Sequence, residues 1–113
     1  MATYTVKRRD TAPVIQDVLL DKDGSPVNAT GATIRFHMAS WDLTTVVVAA
    51  GAVTGWNGAA LGAAGQFEYA WASGDVVAAG VYKAELEVTY ANGKIETFPN
   101  EGFAVVNIPA DLA

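Results

Sequence analysis

The sequence predicts an all-β domain, a sandwich of seven or more short antiparallel strands, and three observations carry that expectation. First, residues 80–98 read as two alternating strands around Asn92-Gly93: Tyr82, Ala84, Leu86, Val88 and Tyr90 fall on one face, and Val81, Lys83, Glu85, Glu87 and Thr89 on the other. Asn-Gly between such runs signals a two-residue type I′ hairpin, which sets Tyr90 opposite Ile95 and Val88 opposite Thr97. Second, turn residues cut the rest of the chain into short extended pieces at the intervals of a sandwich. Third, no window repeats apolar residues at helical spacing. At 113 residues and 51% hydrophobic composition, the chain suits a single domain, residues 1–113, with one core.

Taken in order, strands are expected over residues 3–8, 14–20, 33–39, 44–50, 66–71, 80–90 with 94–98, and 103–108. In residues 14–20 the phase is open: Ile15 and Leu19 share a face with Asp17, whereas Val14, Val18 and Leu20 share one with Gln16, and an edge position or a bulge would resolve it. Ile34, Phe36 and Met38 alternate with Thr33, Arg35 and His37, so the first set points to the core and the second to a polar face. Residues 21–31, rich in Asp, Gly, Pro and Asn, form a loop. Residues 51–65 carry mostly Gly and Ala, with little side chain to pack. They are expected to form a mobile loop or ragged hairpin anchored by Trp56, dispensable for folding and available to a partner. Residues 73–80 make a further connection with room for one helical turn.

Composition removes several function classes. The net charge of −5 and pI near 4.5 give no electrostatic footprint for nucleic acid. The basic run Lys7-Arg8-Arg9 is short, is followed by Asp10, and reads as a solvated strand end or a small docking patch. With no cysteine, neither a disulfide framework nor a thiol nucleophile is expected. The N-terminus lacks the apolar stretch of a signal peptide, and no apolar run is long enough for a membrane helix.

Candidate chemistry is thin. Asp21, Asp23 and Gly24 open like a calcium loop but lack its later ligands, so no metal site is expected. Asn28-Ala29-Thr30 matches a glycosylation acceptor and reads as part of a turn. His37, the sole histidine, has as partners only Ser25, Ser40 and Ser73, all in turn-like sequence without a nucleophile elbow. Glu85, Glu87 and Glu96 form an acidic strand face rather than a catalytic pair in a cleft. No phosphate-cradling glycine loop opens a helix, so no cofactor is expected. Trp41 and Trp56, in turn-rich contexts, are the aromatics placed for contact with a partner, together with Val53 and Leu61 beside Trp56.

Two resemblances sharpen this reading. The segment from Asp75 through Gly80 to Tyr82 resembles the immunoglobulin-like tyrosine corner, whose hydroxyl bonds back to the chain at a strand start, and it implies a Greek-key sandwich. Across most of the chain, Asp10-Thr-Ala-Pro13, the loop from Asp21 to Val27, Thr30 to Met38, Trp71-Ala-Ser-Gly-Asp75, Ala79-Gly-Val-Tyr82, Tyr90-Ala-Asn-Gly93 and Glu96 to Gly102 are similar to the N-terminal domain family of the phage baseplate upper protein. That resemblance implies a non-enzymatic virion protein made in the host bacterial cytoplasm. It would sit in tail, baseplate, neck or capsid and act by assembly with other virion proteins, in symmetric multiple copies; from charge and apolar patterning, no nucleic-acid or membrane partner is expected. Lys7, Arg8, Arg9, Trp41, Val53, Trp56 and Leu61 are the interface candidates. A carbohydrate-binding adhesion module using exposed aromatics is the alternative.

Overall fold

The computed structural model describes residues 3–112, and it is built mostly of strands. Among the described residues there are eight: β1 (Thr3–Thr5), β2 (Ile15–Val18), β3 (Thr33–Ser40), β4 (Val46–Ala52), β5 (Gln66–Tyr69), β6 (Gly80–Thr89), β7 (Ile95–Phe98) and β8 (Ala104–Ile108). One 3₁₀ turn covers Trp56–Gly58, in the segment read as irregular, and residues 73–80 contain turns rather than a helical one.

The large sheet runs β1-β8-β6-β3-β4, with β7 also on β6. β8 pairs residues 80–84 of β6 and β7 pairs residues 86–89, while β3 covers the opposite edge over residues 82–89. β7 and β8 are therefore one strand broken opposite Glu85, where residues 99–103 loop out. The second sheet holds β2 and β5. One pairing departs from the all-antiparallel expectation. β1 runs parallel to β8, Thr3 against Val105, and the alignment continues as Val6 and Arg8 donate to the carbonyls of Asn107 and Pro109.

Alternation decides which residues are buried. Ile34, Phe36 and Met38 on β3 and Ala84, Leu86 and Val88 on β6 turn inward, meeting Ile15, Phe67 and Tyr69 from the second sheet and Trp71 just beyond β5. Phe36 stacks on Tyr69 at 4.4 Å between ring centroids, and Trp71 sets its edge against both. Removing such a ring would cost about 3–5 kcal/mol. The open phase of β2 resolves with Ile15, Asp17 and Leu19 inward; Asp17 is tolerated there because it accepts the Tyr4 hydroxyl at 2.6 Å. Burial, together with that bond, pushes the Tyr4 phenol well above its ordinary range.

The hairpin is shifted by one residue from the expected register. Tyr90 N–H donates to the Lys94 carbonyl and Gly93 N–H to that of Tyr90, and within the turn Gly93 alone takes positive φ, at 87°. A three-residue loop closed by a left-handed glycine replaces the type I′ turn. Thr89 now faces Ile95 and Val88 faces Glu96. The shift places Phe98 opposite Leu86, both buried, where the two-residue loop would have set Phe98 against Glu87.

The glycine-alanine segment has a defined path. Val53 is buried, Leu61 packs against the core, and Thr54 exchanges backbone bonds with Glu68 of β5. Gly51 lies beneath the Tyr69 ring: a methyl there would stand 2.7 Å from Tyr69 Cε1.

Candidate interaction surface

The outer face of the large sheet carries the polar members of the alternation. On β3 and β6, His37 faces Glu85 across the ladder and Arg35 faces Glu87. Neither pair closes to a salt bridge, and the one found among the described residues joins Arg8 to Asp111 at 2.8 Å. His37 instead holds the neighbouring strand. β4 bulges opposite it, Ala50 adopts φ 53°, and the Ala50 N–H donates to His37 Nδ1 at 3.2 Å. With Nδ1 accepting, Nε2 is the nitrogen left to carry the ring proton.

Toward the start of β6 this face turns apolar. Lys83 lies between two rings, its Nζ 4.7 Å from the Trp41 centroid and 5.2 Å from that of Phe103. Trp41 comes from the β3–β4 turn and Phe103 from the loop that breaks β7 from β8, so the cation ties two loops across the sheet. Around it stand Leu43, 53% exposed, Val46, 66% exposed, and Val81. A shallow trough of about 260 Å³ runs from this patch to His37, Glu85 and Thr97.

The β3–β4 turn is tightly organised. Asp42 Oδ1 accepts the Ser40 hydroxyl at 2.8 Å, the Thr44 hydroxyl at 2.7 Å and the Thr44 N–H at 3.1 Å. These bonds, the Thr44 hydroxyl foremost, hold the Asp42 carboxyl below the usual carboxylate range. Leu43 sits at φ 63°, a left-handed position that Gly or Asn would occupy without strain.

No family model, curated protein or solved structure matches this chain. What the surface can do therefore follows from its own chemistry. Among the described residues no group of three or more His, Cys, Asp or Glu is arranged to hold a metal ion, and no helix is long and apolar enough to cross a membrane. Ser40 is committed to Asp42. His37 has Glu85 opposite it, half-buried, with no hydrogen bond joining the two.

The other residues picked from the sequence are scattered. Arg8 is bonded to Asp111, which holds that carboxyl below its ordinary range, while Lys7 and Arg9 point outward. Trp41 is 52% exposed and belongs to the patch. Val53 is a core residue, Leu61 is half-buried against the core, and Trp56 donates its indole N–H to the Asp17 carbonyl at 3.2 Å. These three hold the segment down rather than present it to a partner. At the corner, the Tyr82 hydroxyl donates to the Ala78 carbonyl at 2.7 Å, and Gly80 takes φ 152°. Asp75 accepts from the Tyr69 hydroxyl and the Ala72 N–H. Burial, with the first of these bonds, raises the Tyr69 phenol. Sequence reasoning did not single out Leu43, Val46, Lys83 or Phe103 for this surface. Lys83 was legible as outward-facing, but the strand break that brings Phe103 to it had no local signal.

Proposed function

We propose that this chain is a non-enzymatic structural protein of a tailed-phage virion, a tail or baseplate component or a small capsid or neck accessory, acting by protein–protein assembly on an immunoglobulin-like Greek-key sandwich. The observation that carries the binding role is the concentration of exposed apolar residues, Trp41, Leu43, Val46, Val81 and Phe103, on one half of one sheet face around Lys83. Such clustering marks an interaction surface, whereas scattered surface apolar residues mean little. The virion assignment rests on the sequence resemblance.

Two features support the immunoglobulin-like reading. The order β8-β6-β3-β4 facing β2-β5 corresponds to G-F-C-C′ facing B-E in such domains. The Tyr82 bond to Ala78, just before β6, stands where their tyrosine corner does.

Immunogold electron microscopy of purified particles from the producing strain, with antibody against this chain, tests the assignment. Label at the tail tip, neck or head supports it and gives the position; clean particles refute it. A carbohydrate-binding role draws on the half-exposed Trp41 beside the trough and its carboxylates. The Lys83 ammonium, however, already occupies one face of the indole.

A further inference from the structure

The patch around Lys83 has a chemical requirement. Two rings fix its ammonium, and among the described residues no carboxylate lies within salt-bridge distance. Whatever covers the patch takes water from this cation, and a desolvated, unpaired ammonium is costly. The covering surface must therefore be apolar with a carboxylate set among its apolar side chains.

This chain carries such a surface itself. Trp41-Asp42-Leu43, at the tip of the β3–β4 turn, places a carboxylate between two exposed apolar side chains. The three local bonds all fall on Asp42 Oδ1, which leaves Oδ2 of this exposed residue without a hydrogen bond among the described residues. Asp42 is firmly ionised, since those bonds favour its charged form. Leu43 is also held at a left-handed φ that costs backbone energy and displays an apolar side chain, a strain that a bare turn has no need of.

Within one chain Trp41 lies on Lys83, and Asp42 adjoins Trp41 without reaching Lys83. A two-fold axis beside Trp41 would bring each Asp42 onto the other copy's Lys83 and pack Leu43 and Val46 between them. Isologous contacts have this reciprocal form, residue i on j and j on i.

We infer that this face is a homodimer interface, in which the Trp41-Asp42-Leu43 turn of each copy docks on the Lys83 patch of the other and the Asp42–Lys83 pair forms twice. The inference rests on the assembly reading of this surface and names its partner as a second copy. Covering Lys83 with an acidic turn satisfies the cation, and the apolar residues leave water.

The test is the mass of the full chain by sedimentation equilibrium across a concentration series, for the wild type, K83E, D42K and an equimolar mixture of the two variants. The wild type is expected at twice the chain mass. Each variant alone opposes like charges twice and should weaken the dimer roughly tenfold or more. The mixture restores both pairs, Asp42 of the K83E chain on Lys83 of the D42K chain and the two new charges on each other, so mixing should recover the dimer. Damage to folding within one chain cannot be cured by mixing. L43N, which relieves the left-handed strain, should weaken the dimer while leaving the monomer at least as resistant to urea.

A wild type that stays monomeric at every concentration, or variants whose mixture dimerises no better than either alone, overturns the proposal. The mass result is separate from particle labelling: a monomer overturns the dimer even where particles are labelled, and a dimer stands even where they are not.

Discussion

Gly51→Ala is predicted to destabilise the protein, and the sign of the effect is the informative part. Gly51 is not in the left-handed region, so an alanine can adopt its backbone. In an open strand the change would stabilise by about 0.4–1 kcal/mol, because alanine restricts the unfolded chain. Here the new methyl meets Tyr69 Cε1 at 2.7 Å and the Tyr69 hydroxyl oxygen at 3.1 Å, with Val48 Cγ1 at 3.0 Å. Tyr69 cannot easily give way. Its ring stacks on Phe36 at 4.4 Å, Trp71 sets an edge against it at 5.5 Å, and its hydroxyl is bonded to Asp75. Overpacking of this kind costs about 1–3 kcal/mol, and loosening a bond to a carboxylate about 1.5–3 more. After the unfolded-state offset, a net loss of about 2–4 kcal/mol is expected, a large share of the stability of a small domain. Urea unfolding followed by tryptophan fluorescence measures it. In a Tyr69→Leu background the ring is gone, and Gly51→Ala should become neutral or stabilising, giving a coupling of about 2 kcal/mol or more in the double-mutant cycle. A Gly51→Ala protein as stable as the wild type would refute the account of this contact.

Tyr82→Phe removes the corner bond to Ala78 and should cost about 1 kcal/mol in the same assay; an unchanged midpoint would strip the corner of its energetic role. Deleting residues 53–63 removes buried Val53 and the Thr54 bridge to Glu68, so the product should fail to unfold cooperatively, contrary to the dispensable segment expected from composition; a cooperative transition near that of the wild type would restore that view. Arg8 lowers the folded-state pKa of Asp111, so their contribution is present above the unfolded carboxylate value, about 3.9, and is lost as pH falls through the folded value below it. Stability should therefore drop more steeply between about pH 5 and pH 2 in the wild type than in Asp111→Asn, and parallel curves would contradict the linkage.

Period-two patterning reported faces well and partners poorly. The inward set on β3 and β6 could be read directly, because each residue's face depends on its own position in the strand. The hairpin register depended on whether Asn92 joined Gly93 at positive φ, a choice made by the demand to bring Phe98 over Leu86 rather than by the dipeptide. Residues 51–65 looked weak because Gly and Ala bring little side chain, yet at Gly51 the small residue is what admits the Tyr69 ring. The corner tyrosine was visible because its bond spans four residues. The Lys83 patch was not, since Trp41 and Phe103 lie 62 positions apart and meet only through the ladder. Composition likewise failed to separate Trp41, which is half-exposed, from Trp56, which is tied to Asp17.

The parallel alignment of β1 with β8 sets a timetable for synthesis. Thr3 emerges from the ribosome 102 residues ahead of its partner Val105, so this edge closes after the hairpins between them have had time to form. During that interval each growing chain carries β1 unpaired, and β8, once it has joined β6, has its other edge open. Where many copies are made close together, β1 of one molecule can settle on β8 of its neighbour, an exchange that uses the native pairing and links chains without any new contact.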